Sequence, residues 1–227
     1  MSAAGVTGVG RWVSVEGLNG VGKTYLTGRL ATRLGQSCRL VSELTDHGPE
    51  QLTGQVTAAL ARRAGTFLRT GHPVTEMFAL LALKVYEYER LTADPRPPAL
   101  VLEDRGPDTV AVYQAAIMTL GQPAAAAAEI VDRVLTTART WRPLPTLTML
   151  VVDDLDACIG RYSDRLGAPV NSADRELLVR VDTLYRELAI SNPDRIRVVD
   201  RTGRPQGDVL AEMEAHCRTL LKKTGTQ

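Results

Sequence analysis

The 227-residue sequence has little cysteine and little histidine: Cys38, Cys158 and Cys217, and His47, His72 and His216. An odd number of widely separated cysteines builds no disulfide framework and suits a reducing cytoplasm, where such residues read as buried thiols. No Cys/His spacing suggests zinc. Charge of one sign is not in surplus either, since 27 Lys and Arg stand against 26 Asp and Glu. That balance removes the electrostatic basis for nonspecific nucleic-acid or membrane binding, while a local arginine cluster remains free to serve a small anionic ligand. Long apolar runs are missing too. The longest uncharged run, Thr109 to Ala128, is broken by Gln114 and by Gly121-Gln122-Pro123, so it does not read as a membrane span. Met1 to Gly10 has no basic region followed by an apolar stretch, so no secretory signal is expected there, and residues 1–10 are read as a flexible N-terminus.

What is present describes a globular chain, 44% hydrophobic and 23% charged, of a length suited to one domain, expected over residues 11–223. Strands are expected at Arg11 to Glu16, Ser37 to Ser42, Ala99 to Glu103, Leu147 to Val152 and Arg195 to Val199. Helices are expected at Lys23 to Leu34, Pro49 to Arg63, Pro73 to Leu91, Thr109 to Leu120, Pro123 to Arg139, Leu155 to Arg165, Ala173 to Ile190 and Gln206 to Leu221. Strands alternating with helices give an α/β fold, a five-stranded parallel sheet with helices on both faces. Ligands in such sheets sit beyond the carboxyl ends of the strands, so chemistry is sought just after each one.

After the first strand comes Gly17-Leu18-Asn19-Gly20-Val21-Gly22-Lys23-Thr24, a full G-x-x-x-x-G-K-T match. Glycines let the backbone curl so that successive N–H groups point at phosphate oxygens, and the following helix adds the positive end of its dipole. Lys23 reaches terminal phosphates and the Thr24 hydroxyl suits Mg²⁺. The cofactor-binding set is therefore Gly17, Asn19, Gly20, Val21, Gly22, Lys23 and Thr24. The bland alternative is a glycine-rich turn without a ligand.

Beyond this loop the chain resembles the thymidylate kinase family, from about Trp12 to Met213. Trp12-Val13-Ser14-Val15-Glu16-Gly17 is similar to the family's opening. Asp104-Arg105-Gly106-Pro107-Asp108-Thr109-Val110-Ala111-Val112-Tyr113-Gln114 is similar to its D-R-Y-x-x-S-x-x-A-Y-Q segment, and Arg142-Pro143 and Asp153 resemble a later element. The resemblance implies a P-loop kinase fold with a small lid near 160–173, ATP as donor with Mg²⁺, a pyrimidine nucleoside monophosphate such as dTMP as acceptor, and a cytoplasmic homodimer. It assigns Arg105 to the acceptor phosphate and Asp104 to the metal and the reacting phosphates. Both roles are physically sensible, since a carboxylate ending a buried strand can hold Mg²⁺ and an arginine can pair bidentately with phosphate. The alternative is a surface salt bridge. Glu103 reads as a solvated or helix-facing neighbour.

Acceptor contacts are expected from Phe78, Lys84, Arg105, Thr109, Tyr113 and Gln114, with Phe67 or Phe78 stacking on the pyrimidine. Glycine at position 20 cannot supply the charge that some members place inside the loop. Arg161 and Arg165, four residues apart, are expected to bring it from the lid, with Arg175 next in line and a solvated basic face as the alternative. Ser42, Asn19, Gly106 and Ala82-Leu83-Lys84 depart from the family's arginine after the second strand, its acidic loop residue, its tyrosine and its Ala-Asp-Arg. These departures keep a second function open, a kinase acting on a nucleoside-like hydroxyl with Glu43 as general base. A nonenzymatic nucleotide switch is a third, opposed by Asp104-Arg105.

Overall fold

The computed structural model describes residues 11–61 and 66–222; the expected flexible N-terminus, Arg63 and residue 223 lie outside the described residues. Five strands run β1 Arg11–Glu16, β2 Cys38–Val41, β3 Leu100–Asp104, β4 Leu147–Val152 and β5 Ile196–Asp200. They form one all-parallel sheet in the order β2-β3-β1-β4-β5. The helices are α1 Lys23–Leu34, α2 Leu52–Ala61, α3 Pro73–Thr92, α4 Pro107–Met118, α5 Ala124–Trp141, α6 Leu155–Leu166, α7 Ser172–Ser191 and α8 Gln206–Lys222. The chain leaves β1 toward β2 and β3 on one side and later takes β4 and β5 on the other. The topological switch point therefore lies at the carboxyl ends of β1, β3 and β4, where parallel sheets place their ligands.

Every residue of β3 and β4 is buried, as their mainly apolar sequences imply, while edge strands β2 and β5 each leave two neighbouring residues, Arg39-Leu40 and Arg197-Val198, exposed. Along β1 the period of two separates Val13 and Val15, part of the main core, from Ser14 and Glu16, which are buried on the other face among polar partners. Helix α1 packs with α8, whereas α3, α4, α5 and α7 pack among themselves. Several starts differ from expectation. Helix α4 begins at Pro107, because proline suits the first helical position, and β2 begins at Cys38, after a 3-10 turn over Gly35–Ser37. Helix α2 starts at Leu52 rather than Pro49.

Helices α6 and α7 form the corner beside the site. Asp154 caps α6 by accepting the Ala157 N–H at 2.8 Å, and Gly167 ends it in the left-handed conformation at φ 68°. Asn171 caps α7 by accepting the Asp174 N–H at 2.8 Å.

Candidate active site

The phosphate loop joins β1 to α1 and is held from above by α6. Gly20, at φ +79°, approaches α6 so closely that a Cβ would lie 2.0 Å from the backbone oxygen of Cys158. No side chain fits there, which is why the loop itself carries no arginine. Arg161 on α6 fastens the contact: its Nε donates to the Gly20 carbonyl at 2.7 Å and its Nη2 pairs with Asp153 at 2.5 Å. Arg201, after β5, donates to the Val21 carbonyl and pairs with the same Asp153 at 3.3 Å. Asp153, the residue following β4, thus organises two cations around the loop backbone.

Lys23 is buried, with its Nζ donating to the Leu18 carbonyl at 2.6 Å. Burial, and then the nearby Arg105 charge, lower its pKa to about 7. Thr24 is exposed at the start of α1, near enough to the Asp104 carboxylate to favour its charged form, and Asp104 Oδ1 is buried without a hydrogen-bond partner. Burial raises the Asp104 pKa, with Lys23 opposing. Among the described residues no group of three or more His, Cys, Asp or Glu forms a metal site by itself. Mg²⁺ needs no such group, since it takes one or two protein oxygens and completes its shell with phosphates and water. The unpaired oxygen of Asp104 beside the Thr24 hydroxyl suits that chemistry.

Two adjoining cavities share Asn19, Glu43, Arg105 and Arg165. One opens over Gly20, Gly22, Lys23 and Thr24. The other, about 290 Å³, is walled by Leu44, Thr45, Phe67, Leu80, Thr109, Tyr113, Gln114 and Tyr162. Arg105 stands at their boundary, following β3 in the left-handed conformation at φ 62°. Its Nε lies 2.9 Å from Glu43 Oε1, its Nη2 donates to Asn19 Oδ1 at 2.5 Å, and its guanidinium sits 5.3 Å from the Tyr113 ring centre. Burial opposes the charge of Arg105, but Glu43 and its other neighbours hold its pKa well above the ordinary value. Burial likewise pushes Glu43 up, and Arg105, Lys23 and Arg165 outweigh it, so its pKa falls below the usual carboxylate value. Asn19 Oδ1 also accepts from the Tyr113 hydroxyl at 2.8 Å.

Most residues singled out from the sequence meet here: Asn19, Gly20, Gly22, Lys23, Thr24, Glu43, Arg105, Arg161, Arg165, Thr109, Tyr113 and Gln114 all line one cavity or both. Gln114 is 1% exposed and its Oε1 has no hydrogen-bond partner. Thr109 is present but occupied, its hydroxyl donating to Glu16 and 2.8 Å from that of Tyr185.

Phe78 is not brought in. It is 55% exposed, because it lies two residues from Leu80, roughly 200° around α3 from the side that faces the cavity. Phe67 lines the cavity instead, with its ring centre 6.0 Å from that of Tyr113 and 5.7 Å from that of Tyr162.

Lys84 touches the cavity but is fully committed. Its Nζ lies 3.2 Å from both Glu87 and Glu103, and those carboxylates raise its pKa against the burial that would lower it. Glu103 is correspondingly not a solvated neighbour. It is 0% exposed, held by Lys84 and by a two-pronged contact from Arg142 at 3.2 Å. Arg175 pairs with Asp156 at 2.6 Å on the surface and lines neither cavity.

Sequence reasoning passed over Glu16, Thr45, Tyr162, Tyr185 and Arg201. Only Glu16 carried a signal, a carboxylate at a buried strand end directly before the loop. The others reach the site through tertiary packing.

A phosphate loop, a strand-end Asp-Arg pair and a second cavity across a shared arginine define a P-loop phosphotransferase with separate donor and acceptor places. No protein-family model matches the chain. The chain is 30% identical to thymidylate kinase of Deinococcus radiodurans over 216 residues, 91% of this chain and 95% of that protein. It is 27% identical to thymidylate kinase of Bordetella petrii, over 96% of this chain and 99% of that one. Its fold matches solved structures of the thymidylate kinases of Ehrlichia chaffeensis and Candida albicans with TM-scores of 0.64 and 0.68. Each is 17% identical and covers 93% of this chain, and the matches span 99% and 92% of those chains. The chain belongs to the thymidylate kinase family, and it is a nucleoside monophosphate kinase-type phosphotransferase. No described helix is long and apolar enough to cross a membrane.

Proposed function

We propose that the chain transfers the γ-phosphate of ATP to the phosphate of a pyrimidine nucleoside monophosphate such as dTMP. The observation that carries this reading is the unpartnered, buried Oε1 of Gln114 in the wall of a cavity that Arg105 also lines. A buried acceptor without a donor is costly, and a ring N–H of a pyrimidine supplies one. Phe67, Tyr113 and Tyr162 form an aromatic wall suited to a flat ring.

In this reading ATP phosphates lie on the loop, and Lys23 exchanges the Leu18 carbonyl for a terminal phosphate oxygen. Asp104 and Thr24 would hold Mg²⁺, which would supply positive charge to the phosphate oxygens. Arg105 grips the acceptor phosphate, which takes the place of Glu43 on its edge. A phosphate is already nucleophilic, so no base is needed.

The lid is residues 160–173, which take in the end of α6, the loop that begins at its left-handed C-cap Gly167, and the first residues of α7. Its two arginines divide the work. Arg161 is a tether, engaged by Gly20 and Asp153. Arg165 stands at the junction of the two cavities, with its guanidinium 5.1 Å from the Tyr162 ring centre, and is the charge brought to the transferring phosphoryl group. The cytoplasmic homodimer belongs to the same reading. Val74 and Phe78, each 55% exposed and four apart on α3, offer it apolar surface, and sedimentation tests it.

A second reading, phosphorylation of a nucleoside-like hydroxyl with Glu43 as base, is favoured by one observation: an ionised carboxylate stands in the wall shared by both cavities. The test is an acceptor panel of thymidine, dTMP, dUMP and dCMP with ATP and Mg²⁺, read by product mass. Diphosphate products support the proposal; a preference for thymidine overturns it.

A further inference from the structure

Glu16 ends β1 directly before the phosphate loop, and none of the steps above uses it. It is 0% exposed, and its recorded partners are hydrogen-bond donors without charge: a backbone N–H and two hydroxyls. Its Oε1 accepts the backbone N–H of Gly106 at 2.7 Å, and its Oε2 accepts from the hydroxyl of Thr109 and from that of Tyr185 at 3.3 Å. The peptide it holds is the one following Arg105, at φ 62°, a region that side chains with a Cβ rarely adopt. The preceding residue of β1 takes the other side: the Val15 carbonyl accepts the Arg105 N–H at 3.1 Å. Neighbouring residues of one central strand therefore clamp both ends of a strained arginine. Such strain persists only where the surroundings over-determine it. An apolar side chain at position 16 would avoid burying a carboxylate, but would leave the Gly106 N–H unpaired and the turn free to relax.

We propose that Glu16 is a positioning residue that holds Arg105 left-handed at the boundary of the two cavities, and through it sets the affinity for the acceptor phosphate. The proposal rests on the reading that Arg105 grips that phosphate. Among the described residues the Glu16 carboxylate is the side chain that accepts the Gly106 N–H, so relaxing the turn withdraws the guanidinium from the acceptor cavity, while the phosphate loop keeps the Arg161 and Arg201 contacts that hold its backbone.

The test compares Glu16→Ala, Glu16→Asp, Glu16→Gln, Thr148→Val and Arg105→Met in steady-state kinetics with dTMP, dUMP and dCMP in parallel, alongside thermal melts. Thr148 is a buried hydroxyl in the polar cluster on the same side of the sheet, 3.0 Å from Ser14, and serves as the stability control. Glu16→Ala is expected to raise the acceptor KM at least tenfold while the KM for ATP stays within twofold. Glu16→Asp, whose carboxylate is withdrawn by one methylene, should follow it and serves if the alanine variant does not fold. Glu16→Gln, whose amide oxygen still accepts the N–H, should stay within threefold of wild type. Thr148→Val should lower the melting temperature without moving either KM. Arg105→Met raising the acceptor KM while Glu16→Ala and Glu16→Asp leave it unchanged overturns this proposal alone. Thr148→Val raising the acceptor KM as much as Glu16→Asp overturns it too, as a merely structural effect. An unchanged acceptor KM in Arg105→Met removes the Arg105 grip and this proposal together.

Discussion

Glu43 Oε1 lies 2.9 Å from Arg105 Nε, so the cation facing the acceptor cavity already carries an anion on its edge. A phosphate entering the cavity meets that carboxylate as a competitor, whereas a hydroxyl meets it as a proton acceptor. The same contact therefore separates the two chemistries.

Glu43→Gln is expected to leave turnover of a monophosphate acceptor within a few-fold and to lower its KM, because a neutral amide competes less well for Arg105. If a hydroxyl were the acceptor, losing the base would cost roughly a hundredfold or more in kcat. Steady-state kinetics of this one variant with dTMP and thymidine decides between them.

Lys23 sits at a pKa of about 7 through burial and the Arg105 charge. A bound polyphosphate favours the ammonium form, so binding draws a proton onto Lys23 wherever the free group is neutral, above that pKa. At a pH of about 8.5, binding of a nonhydrolysable ATP analogue should take up close to one proton, read as buffer-dependent heat in titration calorimetry. The uptake should vanish below the pKa and in Lys23→Met. Lys23→Ala should also lose several orders of magnitude in turnover while staying folded, since such charge stabilisation amounts to ~3–4 kcal/mol or more.

Replacing the two lid arginines singly should give different phenotypes. Arg165→Met is expected to lower kcat a hundredfold or more with little change in either KM, the pattern of a contact made in the transition state. Arg161→Met removes the bonds to Gly20 and Asp153, so its main effect should be a raised KM for ATP. Equal single-turnover rates for Arg165→Met and wild type would assign the charge elsewhere.

Glu103→Gln leaves Lys84 and Arg142 buried with one carboxylate fewer between them. Breaking a buried ion cluster from one side costs roughly 3–5 kcal/mol. Urea denaturation should show that loss through a lowered midpoint. An unchanged midpoint would mean that Lys84 is free to act elsewhere, including on the acceptor.

The residues expected at the site came together to the extent that their positions follow from local spacing. The loop from Gly17 to Thr24 and the Asp104-Arg105 pair are both consequences of where a strand ends, and those ends can be read from the alternation of β1 and from the short apolar run that opens β3. Lys84 and Phe78 failed on geometry that spacing does not encode. On α3 a two-residue offset separates the cavity side from solvent. Whether a lysine there is free depends on Glu103, in a different element.

The amino-acid sequence by itself determined the alternation of strands and helices, the phosphate loop and the family, because each rests on residues close together along the chain or on a periodic pattern. Only the tertiary structure decided which charges are available. Arg161, Lys84 and Arg142 are neutralised by Asp153, Glu87 and Glu103, while Arg165 keeps its guanidinium at the meeting point of two cavities. Gly20 is closed to any side chain by a carbonyl from Cys158. Coulomb energy and steric contact depend on distance through space, and the folding of α6 over the loop and of α3 against β3 sets those distances.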